Sequence, residues 1–274
     1  PYTILEVSDL PIPSFAEMAE KYTVIELNCA MKAFVGNYIL LHYQPDLLIY
    51  LDSDMQIFHS FESIETELNT QDILLTPHID KPYPNDVFLP KERDMLRSGI
   101  YNGGFLAFKP GKNVFAFFDW WMKHMQDECY YNFAEGMGVD QLWLNLVPSF
   151  FKGVGIFLNP GANLAYWNLH ERFISKIDEQ YMVNNEFPLL FLHISGYSFE
   201  HPTVLSRHQN RFDLASLPLL QQILNEYRQL VISNGYDRFN SIPCFYARKI
   251  KKSTGIMKKV NALIAPLGIK ITDL

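Results

Sequence analysis

The sequence predicts an α/β fold in which helices flank a mixed, mainly parallel sheet. Short apolar runs of strand length alternate with segments whose apolar residues recur at helical spacing, which is typical of parallel sheets. Polar residues directly follow several of these apolar runs, at the positions where such sheets bind ligands. The 274 residues are 48% hydrophobic and 19% charged, so the chain has enough apolar surface for a substantial core.

The first predicted elements lie in the N-terminal fifth of the chain. Residues 2–7 and 47–51 are apolar runs of strand length, and residues 14–22 have the pattern of a short helix. Residues 28–43 alternate apolar and polar positions at helical spacing. We expect this longer helix to end before Pro45, because the residue that precedes a proline disfavours helical torsion angles.

The middle of the chain continues the alternation of strands and helices. A short helix is predicted at 62–68 and a second buried strand at 72–76. Residues 77–99 contain Pro and Asp without an apolar period, which predicts a long loop of the kind that often closes over a site. A further strand is predicted at 104–108, followed by a helix with a strongly apolar face at 113–127.

The last predicted elements are a helix at 140–146, strands at 155–158 and 189–194, and an amphipathic helix at 214–233. The helix at 140–146 opens with an acid, which the positive end of the helix dipole favours. The chain shows neither an internal repeat nor a low-complexity linker. We therefore predict one domain over residues 1–243, followed by a helical C-terminal extension at 244–274.

The charge of the chain is unevenly distributed. The net charge is −7, and from Arg248 onward seven basic residues stand against one acid, Asp273. This extension therefore carries +6, which leaves −13 for residues 1–247. The acidic residues 1–247 argue against a nucleic-acid binder. Together with the basic extension they fit an enzyme whose C-terminal end binds to a surface. The basic, amphipathic residues 248–274 are expected either to lie on an anionic membrane surface or to form an ordinary solvated or packing helix.

Cysteine usage and hydropathy bear on the compartment. Cys29, Cys129 and Cys244 have no metal-type spacing, and their odd number fits a reducing environment better than a disulfide framework. No run approaches the roughly 20 apolar residues that cross a bilayer, and no signal peptide is visible. The predicted location is cytoplasmic, with or without peripheral contact to the inner membrane face.

The segment Asp52-Ser53-Asp54 is the strongest candidate for a metal site. It follows the apolar run 47–51. In an extended segment, residues i and i+2 point the same way, so the two carboxylates can converge on one ion. Oxygen ligands of this kind favour Mg, Mn or Ca. The alternative interpretation is a solvated turn or a helix cap.

Other polar groups at the ends of predicted elements have two interpretations each. Asn102-Gly103-Gly104 either brings backbone close to a ligand or makes a tight turn. Asp140 and Gln141 either line a site or, for the acid, cap a helix. His193 would complete a Mn-type site as a nitrogen ligand, although a histidine at a strand end is more often a core or rim residue.

Two further features have a functional and a structural interpretation. Lys32 lies on a mostly apolar helix, where it either contacts a phosphate or extends its ammonium to solvent past an apolar stem. Residues 159–172 are dense in polar and aromatic side chains, Trp167, Asn168 and His170 among them. This stretch either binds sugar hydroxyls or forms a well-ordered loop.

Taken in order, these motifs resemble those of a known class of enzyme. The matching pieces are NCAMKAF at 28–34, YLDSDM at 50–55, YNGGFLAF at 101–108, VDQLWLN at 139–145 and HISGY at 193–197. Together they are similar to bacterial glycosyltransferases of the GT-A fold, a Rossmann-like nucleotide-diphospho-sugar transferase fold, related to the glycogenin-like family 8. The resemblance spans about residues 1–235. The stretches at 74–79, 159–172 and 205–212 resemble a bacterial subgroup associated with surface-polysaccharide assembly.

The resemblance implies a metal-dependent retaining transfer of a sugar from a nucleotide-diphosphate donor, such as a UDP-sugar, to a glycan or lipid-linked acceptor. It implies Asp52, Asp54 and His193 as ligands of Mn²⁺ or Mg²⁺. Asp140 and Gln141 would be catalytic. The transfer would use either a carboxylate nucleophile, for which Asp140 is the candidate, or front-face attack by the acceptor. The implied donor-binding residues are Lys32, Asp52, Ser53, Asp54, Asn102, Gly103, Gly104 and Gly196, and the implied acceptor-binding residues are Trp167, Asn168 and His170.

The sequence departs from the family pattern in two places. Related enzymes continue the His-x-x-Gly segment with Lys-Pro-Trp, whereas residues 197–202 here are YSFEHP. Arg207 or His208 is expected to replace the missing phosphate-binding lysine. The strand and helix that cradle the nucleotide base in the family either precede Pro1 or are absent. These departures make a non-catalytic nucleotide- or glycan-binding module the alternative function. A third interpretation is a divalent-metal phosphohydrolase, since carboxylates and histidine serve that chemistry too.

Overall fold

The structure is a computed structural model that describes residues 2–246. The predicted membrane contact of residues 248–274 lies outside these residues. The helices are α1 (Phe15–Lys21), α2 (Val24–Tyr43), α3 (Glu62–Glu67), α4 (Glu92–Ser98), α5 (Lys112–Asp127), α6 (Val139–Trp143), α7 (Val147–Phe150), α8 (Pro218–Ser233) and α9 (Tyr236–Asn240). Short 3-10 turns cover Val7–Asp9, Leu144–Leu146 and Leu214–Ser216.

The strands form one central sheet and several small ones. They are β1 (Leu48–Leu51), β2 (Met55–Ile57), β3 (Ile73–Pro77), β4 (Tyr101–Phe108), β5 (Tyr131–Asn132), β6 (Met137–Gly138), β7 (Val154–Ile156), β8 (Ile174–Ile177), β9 (Gln180–Val183), β10 (Phe187–Pro188) and β11 (Phe191–His193). The central sheet has the order β1-β4-β3-β7. The predicted α/β class with a mixed sheet flanked by helices is confirmed.

The prediction of mainly parallel pairing is wrong. Strand β4 runs antiparallel to both of its neighbours, β1 and β3, and only the β3–β7 pair of the central sheet is parallel. The central position of β4 has a direct consequence for the candidate site. Leu51 at the end of β1 is opposite Phe105, so Asp52 lies beside Gly104 and its N–H donates to the Gly104 carbonyl at 2.8 Å.

The predicted strand at 189–194 forms outside the central sheet. It becomes β11, which pairs antiparallel with β2, and His193 lies opposite Met55. The pairing continues past the strand, because the Ile194 N–H donates to the Asp54 carbonyl at 2.8 Å. Two segments that are far apart in the sequence therefore meet at the turn that joins β1 to β2.

Alternating side chains of β4 pack on the two faces of the central sheet, as the period of a strand requires. Leu106 and Phe108 face a core shared with α2 and α5, while Phe105 and Ala107 face a second core that includes α3 and β11. Helices α2 and α5 pack so closely that a Cβ on Gly36 would lie 2.6 Å from the Phe118 ring. The central sheet is thus covered on both faces. The candidate site lies where β1 ends and β4 begins.

Two predictions about local structure are wrong. Residues 2–7 form no strand, and Tyr2 and Ile4 are largely exposed. The predicted loop 77–99 contains α4, whose start is stabilised by a carboxylate of Asp94 that accepts from the Lys91 N–H at 3.0 Å. The apolar pattern of residues 2–7 was therefore insufficient for a strand without a pairing partner in the described chain.

Helix α2 begins four residues before its predicted start. Thr23 and Glu26 form a reciprocal capping box, in which Glu26 accepts from the Thr23 N–H at 2.8 Å. Among residues 2–246, α2 is also the one helix long and apolar enough to cross a membrane by length and composition, which corrects the expectation that no such run exists. Glu26 and Lys32 lie on its buried face, and helices of protein cores meet the same criterion.

Candidate metal centre

Asp52, Asp54 and His193 converge where β1 turns into β2. One ligand atom from each side chain lies within 4.8 Å of the others. The His193 Nε2 is 3.2 Å from an oxygen of Asp54, and the Asp54 side chain is 41% exposed. The predicted metal ligands are therefore brought together, with Asp54 facing solvent.

Lys32 is a buried neighbour of this cluster. Its Nζ lies 2.9 Å from the Gly103 carbonyl oxygen, 2.9 Å from Asp140 Oδ2 and 3.1 Å from Asp52 Oδ1. Burial alone would lower the pKa of Lys32, but Asp140 and Asp52 raise it well above its usual value, so the ammonium stays charged. An ammonium has three hydrogens, and three protein oxygens already surround it. The predicted phosphate contact of Lys32 is therefore not available in this structure.

The charges of the cluster suit a divalent cation. Asp52, Asp54 and Asp140 supply three carboxylates, and Lys32 supplies one ammonium, which leaves a formal charge of −2. A divalent ion would bring this total to zero. The two carboxylates suit Mn²⁺ or Mg²⁺, and the imidazole nitrogen favours Mn²⁺, since Mg²⁺ prefers oxygen ligands. The residues present thus fit the predicted metal in both charge and ligand type.

Asp52 and Asp54 differ in how much the protein already uses them. Tyr50, two residues before Asp52 on the same side of β1, donates its hydroxyl to Asp52 Oδ1. Lys32 lies 3.5 Å from the other oxygen. Burial is the largest cause that raises the pKa of Tyr50, and the Asp52 carboxylate raises it further. The Tyr50 hydroxyl therefore stays protonated. Asp52 is therefore held in one orientation, whereas Asp54 is the more available ligand.

The polar groups of the segment 102–104 form hydrogen bonds within the protein and are not presented to a donor. Asn102 Oδ1 accepts from the Gly104 N–H at 3.0 Å, and its Nδ2 faces His78 Nε2 at 3.2 Å. The Gly103 N–H donates to Gln141 Oε1 at 3.2 Å. The side chain of Asn102 and the polar backbone groups of Gly103 are thus used inside the protein, which corrects their predicted contact with a donor.

Close approach explains why residues 103 and 104 are glycines. A Cβ at position 103 would lie 2.8 Å from Asp140 Oδ2. A Cβ at position 104 would lie 2.6 Å from His193 Cε1 and 2.8 Å from Met55 Cε. Distances under about 3 Å are far inside van der Waals contact. Gly103 is therefore required for β4 to pass beside Asp140, and Gly104 for it to pass beneath the candidate ligand His193.

Replacement of Gly104 by alanine is expected to displace the His193 ring. The overpacking should lower the free energy of unfolding by about 1–3 kcal/mol, and Mn²⁺ affinity should fall roughly 10–100-fold because a ligand loses its orientation. Urea unfolding and calorimetric Mn²⁺ titration measure the two effects. Gly111→Ala is the matched control, since its nearest neighbour would be 4.0 Å away. Equal Mn²⁺ affinities for the two variants would contradict the prediction.

Asp140 lies at the start of α6, with 2% of the residue exposed. The N-cap of this helix is Gly138, so the alternative interpretation of Asp140 as an N-cap is wrong. Its carboxylate instead pairs with Lys32. Gln141, the other predicted catalytic residue, holds the Gly103 backbone and lies partly exposed beside it. Both residues are brought to the site, next to β4.

The predicted acceptor-binding residues separate into two groups. Trp167 and Asn168 are buried, and Asn168 accepts from the Ala165 N–H at 2.9 Å while donating to the Asn163 carbonyl at 2.9 Å. These two side chains present no surface to an acceptor, which corrects the prediction. His170 is partly exposed, and its Nε2 is hydrogen-bonded to the Lys81 carbonyl at 3.0 Å. This hydrogen bond does not connect it to the metal ligands.

Ser53 and Gly196, two predicted donor-binding residues, lie next to the metal ligands in the sequence. Ser53 is exposed in the turn between Asp52 and Asp54. Gly196 has a φ of +73°, which glycine tolerates best, and its carbonyl accepts from the Arg207 N–H at 3.1 Å. His208 packs against Gly196 so closely that a Cβ at position 196 would lie 2.5 Å from its ring. The structure therefore brings Arg207 and His208 beside the segment that follows His193.

Sequence reasoning missed three residues that support the site, Tyr50, His78 and Asn163. Tyr50 could have been found from its position two residues before Asp52, since both then lie on one side of the strand. Asn163 Oδ1 is 3.2 Å from His193 Nδ1, but 30 residues separate them in the sequence. His78 follows a buried strand and is itself buried, with Nδ1 bonded to the Ile100 carbonyl at 3.0 Å.

The stability of the protein is expected to fall between pH 7 and pH 5 because of His78. Burial is the main cause that lowers the pKa of His78 to about 4, compared with about 6.5 in the unfolded chain. Neutral His78 thus stabilises the fold fully above pH 6.5, and this contribution is lost as the pH falls toward 4. The loss at pH 5 should be about 2 kcal/mol.

Urea unfolding at pH 7 and pH 5 measures this loss for the wild type and for His78→Gln. The variant lacks the titrating group, so its stability should fall by about 2 kcal/mol less than that of the wild type over the same interval. The other groups that titrate in this interval, such as His208, are common to both proteins and cancel. Parallel pH profiles for the two proteins would contradict the assignment.

No protein-family model matches this chain. Among curated proteins of Bacillus subtilis (strain 168), the uncharacterized protein YfnF is 30% identical over 162 residues, which cover 58% of this chain and 52% of YfnF. The uncharacterized protein YfnD is 23% identical over 199 residues, which cover 72% of this chain and 61% of YfnD. The chain therefore spans between about half and three fifths of these relatives, whose names state no activity.

Proposed function

We propose that this protein is a metal-dependent retaining glycosyltransferase with a GT-A arrangement of its sheet. The substrate would be a nucleotide-diphosphate sugar, a UDP-sugar being the first candidate, and the acceptor a glycan or a lipid-linked sugar. The observation that carries the proposal is the convergence of Asp52, Asp54 and His193 beside the buried Lys32–Asp140 pair. Ligand sites at the ends of strands in α/β sheets are common, which supports the same conclusion.

The chain supplies an oriented ligand set whose negative charge Mn²⁺ or Mg²⁺ would balance. Such an ion, when bound, withdraws negative charge from a leaving diphosphate. Asp54 and His193 offer an exposed oxygen and a nitrogen, while Tyr50 and Lys32 fix the direction of Asp52. Because these side chains are already positioned by hydrogen bonds, little reorganisation accompanies binding of the ion.

Donor phosphate would meet Arg207 in place of the lysine that the related enzymes use. Arg207 is exposed, and its backbone is tied to Gly196, three residues after His193. Its guanidinium donates to His208 through Nε at 3.2 Å, and among residues 2–246 the terminal nitrogens have no hydrogen-bond partner that would compete with an anion. A cation is needed on this side of the site, because Lys32 is occupied by protein oxygens.

The burial of Asp140 favours front-face attack over a covalent intermediate. A nucleophilic carboxylate must reach the sugar carbon, but the Asp140 side chain is 3% exposed and paired with Lys32. In the front-face reaction, the bond between the anomeric carbon and the phosphate oxygen breaks while the acceptor oxygen bonds to the same face of that carbon. The acceptor proton goes to the departing phosphate oxygen, so Asp140 serves to hold Lys32 in place.

Calorimetric titration of the purified protein with UDP-sugars, in the presence and absence of Mn²⁺, tests the proposal. We expect nucleotide binding that depends on Mn²⁺, and release of UDP when a suitable acceptor is added. Absence of Mn²⁺-dependent nucleotide binding would overturn the proposal. Binding without turnover of any donor would favour a non-catalytic nucleotide- or glycan-binding module. Release of inorganic phosphate from simple phosphoesters would favour a phosphohydrolase.

A further inference from the structure

We infer that Asn163 is a positioning residue that fixes the tautomer of His193 and so prepares its Nε2 to bind the metal. The inference rests on the proposed metal site. Asn163 Oδ1 lies 3.2 Å from His193 Nδ1. A carboxamide oxygen only accepts hydrogen bonds, so the hydrogen of the neutral ring is on Nδ1. The lone pair of Nε2 then faces the aspartates, and a metal-ligating nitrogen must be unprotonated.

The other edge of the His193 ring shows the consequence of this tautomer. Nε2 lies 3.2 Å from an oxygen of Asp54. With the hydrogen on Nδ1, two electron pairs face each other across this distance, an arrangement that a cation between them relieves. The same contact would be an ordinary hydrogen bond if the hydrogen were on Nε2. Asn163 therefore favours the tautomer whose Nε2 can bind a metal. It disfavours the tautomer whose Nε2 hydrogen would bond to Asp54 without a metal.

Asn163 is rigidly held, which makes it suited to this role. It is fully buried, and its φ of +54° lies in the left-handed region, where asparagine is tolerated better than most residues. Its carbonyl accepts from Asn168 Nδ2 at 2.9 Å. The next residue, Leu164, is tied to β11 on both sides, since its N–H donates to Phe191 and its carbonyl accepts from the His193 N–H at 2.8 Å.

The amide nitrogen of Asn163 provides an independent argument for a function. It is buried and has no hydrogen-bond partner among the described residues. A buried donor without a partner costs about 1–3 kcal/mol, so the oxygen contact to His193 is the interaction that justifies a carboxamide at this position. A leucine of similar volume would avoid that cost, but it would leave the Nδ1 of His193 without an acceptor.

Packing completes the restraint on the ring. Trp167 contacts it edge-on, with ring centroids 5.0 Å apart. Gly104 lies beneath Cε1, so close that a Cβ there would approach to 2.6 Å. His193 is thus limited on three sides, and Asn163 decides which nitrogen carries the hydrogen. Residues that hydrogen-bond the second nitrogen of a metal-ligating histidine typically contribute about 10–100-fold in metal affinity.

Two variants separate the effect of the Asn163 carboxamide from the effect of its positive φ. Asn163→Gly removes the carboxamide and still allows a positive φ, and Asn163→Asp keeps an acceptor of the same shape. Asn185→Gly is the matched control, because Asn185 is exposed and has a φ of +60°. Titration with Mn²⁺ alone should give a dissociation constant roughly 10–100-fold weaker for Asn163→Gly. The constant should be as tight as wild type, or tighter, for Asn163→Asp, and unchanged for Asn185→Gly.

Nitrogen-15 NMR of the metal-free protein at pH 8 reports the tautomer directly. We expect a protonated Nδ1 in the wild type and in Asn163→Asp, and a shift of the hydrogen to Nε2 in Asn163→Gly, where Asp54 is the acceptor that remains. A protonated Nε2 in the wild type, or wild-type Mn²⁺ affinity in a folded Asn163→Gly variant, would overturn the inference. If the wild type bound no Mn²⁺, the proposed function would fail, while the NMR result would still decide the role of Asn163.

Discussion

Replacement of Lys32 by methionine is expected to lower the free energy of unfolding at pH 7 by about 3–5 kcal/mol, because breaking a buried ion pair leaves an uncompensated charge. Asp140 would lose its ammonium partner at 2.9 Å while remaining 3% exposed, and Asp52 would lose the same partner at 3.1 Å. The methionine replaces most of the apolar stem, so the cavity term is small. Urea unfolding at pH 7 measures the change.

A second variant identifies the origin of this loss. Lys32→Met combined with Asp140→Asn removes both buried charges and should recover most of the stability lost by the single variant. Lys21→Met is the matched control, because Lys21 makes a similar 2.7 Å ion pair with Asp127 at an exposed position. That control should cost no more than about 1 kcal/mol. Equal losses for Lys32→Met and Lys21→Met would show that the buried pair is not the source.

Replacement of Asp54 by alanine is expected to weaken metal-dependent donor binding strongly while leaving the fold intact. A bound metal contributes several kcal/mol of charge stabilisation, so kcat/KM should fall by about 10²–10³-fold. The Mn²⁺ dissociation constant should weaken roughly 100-fold or more, since removal of an ionised ligand costs about 3 kcal/mol. Asp54 is 41% exposed, so its loss creates no buried cavity.

The unchanged fold makes the Asp54 result interpretable. Thermal unfolding without metal should give the same Tm for the wild type and Asp54→Ala, whereas added Mn²⁺ should raise the Tm of the wild type alone, because only a bound ligand stabilises the native state. Asp46→Ala is the control, since Asp46 is a carboxylate at the other end of β1, away from the metal ligands. A Mn²⁺-induced increase in Tm that survives in Asp54→Ala would contradict the assignment of this ligand.

The sequence predicted the parts of the fold that depend on short-range patterns. Helical spacing identified α2 and α5, and apolar runs identified β1 and β3, because a buried helix face and a buried strand each have a fixed period. It did not predict the direction of β4, since an apolar strand looks the same in either orientation. The pairing of β2 with β11 was also missed, because β2 is only three residues long.

The candidate site shows the same division. Asp52, Asp54 and His193 were predicted as partners and do converge. Lys32 and Asn168 were predicted to contact ligands, but both are enclosed by protein groups that come from distant parts of the chain. A residue type and its neighbours in sequence indicate what a side chain can bind. The number of its hydrogen bonds that the protein already uses depends on segments far away in the sequence.

The sequence by itself determined that this protein has an α/β fold and carries an Asp-x-Asp segment at the end of an apolar strand, because both features are local. The tertiary structure decided what these features do. It placed His193 opposite the Asp-x-Asp turn through the β2–β11 pairing, buried Lys32 between two carboxylates, and put Asn163 behind the histidine. Those choices depend on long-range packing, which alone sets burial, charge balance and the direction of each side chain.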